Sequence, residues 1–199
     1  MSIRKIFSLC LLLALPLLAS AALTAQQVMD KAAKKIDGSG AITAKFTGSM
    51  TGTLISSGSK FSIVADGFGV WYDGKDMWTY SSRAGETTLT SPTPSELLET
   101  NPLEIIKVHS SKYNAAKVAE SDGKYVLKLT PKSKTENVKE ASLVIDTTTW
   151  FPAAINILFS NGSNFIINII SIKENSKAQA SSFVYPRNQY PGIEVVDLR

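Results

Sequence analysis

Side chains able to do chemistry are few in this chain, and their spacing assembles no reactive group. His109 is the sole histidine and Cys10 the sole cysteine. An activated nucleophile needs a base beside it, and a structural zinc site needs four ligands. Asp66, Asp73 and Asp122 could in principle pair across a sheet, since acid–base carboxylates need no fixed sequence spacing. Each of them, however, precedes a glycine in a turn dipeptide, where Asp is selected for backbone reasons. Gly67, Gly69 and Gly74 belong to the same hairpin turns rather than to a loop ahead of a helix, so no phosphate cradle is expected. The reading is of a protein that is not an enzyme, with no metal and no cofactor. His109, near the end of a short helix, is expected at the surface.

What the chain offers instead is apolar surface with a period of two. Phe61, Ile63 and Ala65 alternate with polar neighbours, Trp78 and Tyr80 share a face, and so do Leu143 with Ile145. Ile155, Ile157 and Phe159 repeat the pattern on the next strand. Such alternation gives a sheet one apolar face and one wet face. Two architectures satisfy it: a sandwich or small barrel closed on its own core, or a curved sheet partly covered by helices, leaving an apolar cavity. The helices available carry few large apolar residues, which favours the second.

The elements that would position this surface are legible along the chain. Arg4 and Lys5, the apolar run Ile6 to Leu18 and the small residues Ala19-Ser20-Ala21 read as a signal peptide over residues 1–21. The run is interrupted by Pro16 and falls short of the about 20 residues of a membrane span. Cys10 lies inside it rather than at its end, so the exported part carries no thiol. Removing Arg4 and Lys5 takes 21 basic residues to 19 against 17 acids, a net charge of +2 that offers nucleic acid little. Residues 22–199 read as a single domain. A helix opens it, with Thr24 and Gln27 as capping box and Val28, Met29, Ala32 and Ile36 at helical spacing; it is expected to cover the outside of the strand at 163–173. Strands are expected at 41–52, 53–65, 68–73, 76–82, 86–91, 112–121, 124–131, 138–147, 151–159 and 163–173, with a last piece near 193–197. The turn pairs Asp66-Gly67, Asp73-Gly74, Asp122-Gly123 and Asn161-Gly162 make the sheet antiparallel. One segment interrupts it: Pro92-Thr93-Pro94-Ser95-Glu96 caps a short helix carrying Leu97 and Leu98, and Asn101-Pro102 starts another carrying Leu103, Ile105 and Ile106. Helices this short must pack on something.

The stretch Trp71-Tyr72-Asp73-Gly74-Lys75-Asp76-Met77-Trp78-Thr79-Tyr80, with Lys60-Phe61 before it and the Pro-rich helices after it, resembles LolA-type outer-membrane lipoprotein carriers. The ending Tyr190-Pro191-Gly192-Ile193-Glu194-Val195-Val196-Asp197-Leu198-Arg199 is similar to the close of LolA-like proteins. The lipid-sensing domain of the sigma-factor regulator RseB shares that fold. The resemblance implies a mainly β protein with a few helices: an antiparallel, strongly curved open barrel of about eleven strands closed by a helical lid. It implies a periplasmic monomer that takes acylated lipoproteins from an inner-membrane lipoprotein-releasing ABC transporter to an outer-membrane acceptor. A shuttle or sensor for lipid or glycolipid is the alternative. The expected cavity wall is Phe46, Phe61, Ile63, Trp78, Tyr80, Leu143, Ile145, Ile155, Ile157 and Phe159. The expected lid is Leu97, Leu98, Leu103, Ile105 and Ile106. The proteobacterial pattern has an Arg-Pro pair just before the strand holding Phe61, its arginine bonding the lid. Here Ser57-Gly58-Ser59-Lys60 stands in that place, so that latch is absent.

Overall fold

A computed structural model describes residues 22–174 and 178–199. Residues 1–21, for which a signal peptide is expected, lie outside the described residues, Cys10 among them. The first element is α1 (Ala25–Gly38), and Thr24 and Gln27 form the expected reciprocal capping box. Six strands follow: β1 (Ala41–Gly48), β2 (Gly52–Ser57), β3 (Lys60–Ala65), β4 (Phe68–Tyr72), β5 (Met77–Ser81) and β6 (Glu86–Thr90). The helical insert is α2 (Pro94–Thr100), α3 (Glu104–Lys107) and α4 (His109–Lys112). Five further strands are β7 (Tyr113–Ser121), β8 (Lys124–Pro131), β9 (Val138–Asp146), β10 (Pro152–Phe159) and β11 (Asn164–Glu174). Two 3-10 turns lead to β12 (Glu194–Asp197).

All twelve strands join one open, curved sheet in the order β12-β6-β5-β4-β3-β2-β1-β11-β10-β9-β8-β7. Two antiparallel meanders, β1 to β6 and β7 to β11, are stitched together where β1 pairs β11. Two expectations change here. The run 53–65 is two strands, because Gly58 at φ +59° turns the chain between Ser57 and Lys60. The sheet is also not wholly antiparallel, since β12 pairs β6 in parallel. Bulges at Val118 and Ile170 each add an unpaired residue, which bends a strand and increases its twist.

The two faces are unlike. On the inner face, Phe46, Leu54, Ile63, Val70, Leu143, Ile155 and Ile167 form one buried cluster. Val28, Met29, Ala32 and Ile36 of α1 belong to that same cluster. The first helix therefore fills the concavity rather than covering the outside. Its expected station is bare: Ile166 and Ile170 on β11 are 39% and 63% exposed. The insert also enters the cluster through Leu98, Leu103, Ile105 and Ile106. Among the described residues no helix is long and apolar enough to cross a membrane.

Candidate functional site

The inner face holds a pocket of about 220 Å³ where the insert meets β1 to β4 and β11. Phe46, Met50, Leu54, Ile63, Phe68, Phe165 and Ile167 supply its apolar wall, and Glu99, Thr100 and Pro102 of the insert supply its rim. A sliver of about 10 Å³ lies between Pro102-Leu103 and the wall residues Ala44, Phe46, Leu54, Ile155, Ile167 and Ile169. The two voids share Phe46, Leu54, Pro102 and Ile167. Small-molecule pockets usually span about 300–1,000 Å³, so this one is smaller than a typical ligand site.

Of the expected wall residues, Phe46 and Ile63 line this pocket. Phe61, Leu143, Ile145, Ile155 and Ile157 are buried in the surrounding cluster, with the Phe61 ring 5.5 Å from that of Tyr72. Phe159 packs against the cluster's edge. Trp78 and Tyr80 do not belong to the wall. Trp78 pairs with Trp71 and Tyr80 with Gly69, whereas the inner-facing residues of β4 are Phe68, Val70 and Tyr72. Period two ties Trp78 to Tyr80 and leaves the choice of face to the register of the hairpin, which the sequence does not display. Met77 is the residue of β5 that reaches the cluster instead. Met50, Leu54, Phe68, Phe165 and Ile167 were not expected in the wall. Leu54 and Ile55 are adjacent apolar residues, and Phe165-Ile166-Ile167 is a continuous apolar run, so alternation does not say which of them faces inward; Met50 lies between strands and gives no such signal.

All five expected lid residues reach the cluster, Leu97 only partly buried. Thr93 and Glu96 cap α2 reciprocally, and the hydrogen bonds from the Thr93 backbone and hydroxyl hold the Glu96 carboxyl below its ordinary range. In place of the missing arginine, Lys107 Nζ donates to the Gly58 carbonyl at 2.8 Å and to Glu104 Oε1 at 2.9 Å. The cation sits on the insert and the acceptor on the β2–β3 turn. His109, expected at the surface, is buried: Nδ1 lies 2.6 Å from the Ile106 carbonyl and Nε2 3.0 Å from Asp30 Oδ1. Its ring ties the insert to α1, a role invisible in a lone histidine. Tyr113, at the start of β7, is buried, with no hydrogen-bond partner for its hydroxyl. Burial and then the Glu136 carboxylate push its pKa up to about 12.

Residues 15–161 match the family described as Outer membrane lipoprotein carrier protein LolA, well over half of the chain. The chain belongs to that family. LolA-like proteins are periplasmic binding and carrier proteins, and their fold is one that holds lipoproteins or lipids. A search of curated proteins finds no match. Among solved structures, an uncharacterised conserved protein from Thermus thermophilus is 13% identical with a TM-score of 0.58, over 87% of this chain and 98% of that one. A LolA superfamily protein from Nitrosomonas europaea is 13% identical with a TM-score of 0.42, over 82% and 99%. The Pseudomonas aeruginosa MucA/MucB complex matches at 14% identity and a TM-score of 0.40, over 81% and 61%.

The outer face carries a second apolar cluster that the sequence did not announce. Residues 178–199 cross β3 to β6, burying Phe183 and Tyr185. Trp71 lies 5.4 Å from the Tyr185 ring and 5.7 Å from Tyr190, and Tyr80 lies 4.5 Å from Tyr190. Gly69 makes this possible, because a Cβ there would stand 2.3 Å from the Trp71 indole. Arg199 closes the segment on Asp197 and Asp76, and its bonds hold the Asp197 carboxyl down at about 2.

Proposed function

We propose that this protein is a periplasmic carrier that binds the acyl chains of lipoproteins against its inner wall and ferries them between membranes. The chains would be received from an inner-membrane lipoprotein-releasing ABC transporter and passed to an outer-membrane acceptor. The observation that carries this reading is the insert: Leu98 of α2, Leu103 at the start of α3, and Ile105 and Ile106 of α3 are buried in the concavity of an open sheet, beside an apolar pocket. Burying a chain of about 15 methylenes is worth roughly 12 kcal/mol at about 0.8 kcal/mol each. That is enough to keep the chain out of water, and too much for ready release from a rigid slot. Side chains that fill the groove when it is empty, and must be displaced by cargo, lower the net affinity by the contacts they give up. The insert is held by the burial of Leu98, Leu103, Ile105 and Ile106 in the common cluster and by the polar bonds of Lys107 and His109, and a hydrocarbon chain entering the concavity would replace those apolar contacts with its own.

The test is to purify the chain from periplasm without denaturant and identify what accompanies it by mass spectrometry. Acylated protein is the expected companion. Free lipid alone would favour a lipid shuttle of the same fold, and an empty protein that takes up no acyl ligand would contradict both readings.

A further inference from the structure

Beside the apolar pocket, across α2, lies a second pocket of about 200 Å³ with a different lining: Glu99, Asn137, Phe159, Ser160 and Asn161. Glu99 forms part of both walls. Asn137 Nδ2 donates to Glu99 Oε1, Ser160 donates its hydroxyl to the Glu136 carbonyl, and Asn161 Oδ1 accepts from Ser163. Among the described residues, no hydrogen bond occupies Glu99 Oε2 or Asn137 Oδ1. None of the salt bridges found there involves Glu99. Glu99, Asn137, Ser160 and Asn161 are exposed, so the pocket is an accessible surface recess whose one charged lining residue is Glu99, with the Phe159 ring on the same wall. A carboxylate attracts a cation and repels an anion, and a phenyl face favours an ammonium group as well.

We infer that the pocket of Glu99, Asn137 and Phe159 is a head-group site for an ammonium or N–H donor attached to the acyl chain held next door. This rests on the acyl-carrier reading of the neighbouring pocket and adds the chemistry of the cargo's head to it. The shared wall at Glu99 is the link: a chain in the apolar pocket brings its head out beside that carboxylate. Two sources supply such a head, the N-terminal amine of an acylated protein and an amine-bearing lipid.

The experiment measures displacement of an environment-sensitive fluorescent fatty acid from the full mature chain. One pair of competitors is a diacylated lipopeptide with its N-terminal amine free or acetylated. The other is a lysophospholipid with an ethanolamine or a glycerol head. The free amine should bind about fivefold tighter than its acetylated twin, the scale of a partly exposed ion pair, and the preference should shrink with added salt. Glu99→Gln should bring the ratio close to one, and Glu99→Asp should restore it. The pair that shows the larger ratio identifies the source of the head. Equal binding within both pairs, or a preference that survives Glu99→Gln, would overturn the inference while leaving the acyl pocket standing. Failure of every competitor to displace the probe would instead sink the acyl reading beneath it.

Discussion

Phe46 touches both voids beside the insert, so it is the residue at which stability and binding should separate most visibly. Phe46→Ala is expected to lower stability by about 3–5 kcal/mol, the usual cost of emptying a buried aromatic site. It should also enlarge the apolar pocket, so thermal denaturation with a long-chain ligand should recover more of the melting temperature than in the parent. Tyr113 invites the opposite change. Its hydroxyl is buried without a partner, and removing an unpaired polar group of that kind is neutral or favourable. Tyr113→Phe should unfold in denaturant at the same or a higher concentration. Because the folded pKa is raised to about 12 from an ordinary 10, the parent's stability is intact below pH 10 and declines as pH rises toward 12. The phenylalanine variant should lose less over that interval. Single residues were only partly legible beforehand. Alternation marks Phe61 and Ile63 as sharing a face, whereas nothing comparable marks Phe46, and for Trp78 and Tyr80 a period of two fixes that they face together and not toward what.

The elements tell a similar story with different limits. Capping chemistry is local, and both Thr24 and Thr93 do what their sequence neighbours require. Turn glycines placed most of the hairpins, but Ser57-Gly58-Ser59 hid a turn inside one long apolar-alternating run, and a strand was lost with it. The site of α1 could not be read either: an amphipathic helix states that it must bury a face, not which side of a sheet receives it. For the insert, the decisive contacts are those of Lys107 with the Gly58 carbonyl and His109 with Asp30. Lys107→Met removes the first without touching the apolar contacts. The expected result is faster hydrogen exchange over residues 94–112, with a stability loss of no more than about 1.5 kcal/mol. Unchanged exchange would mean that this bond does not restrain the insert.

At the scale of the whole molecule, the sheet separates two tasks. Its inner face carries the pocket and the insert; its outer face, over β3 to β6, is sealed by the aromatic segment after β11. Trp71→Ala should therefore cost about 3–5 kcal/mol of stability through the outer cluster and leave the affinity for an acyl ligand as it was, measured below the melting range. The general architecture, an open curved sheet with helices against it, could be inferred from turn spacing, alternation and a family resemblance. The outer cover could not, because residues 178–193 have no period and gain their meaning only by packing across strands distant in sequence. The claim on which the rest stands is that hydrocarbon enters between the inner wall and the insert. A fatty acyl chain bearing a photoactivatable group at its far end, bound to the mature chain, irradiated and mapped by peptide mass spectrometry, tests it directly. Cross-links should fall on Phe46, Leu54, Ile63, Phe165 or Ile167 and on the insert; labelling confined to the outer face, or spread evenly over the surface, would contradict the account.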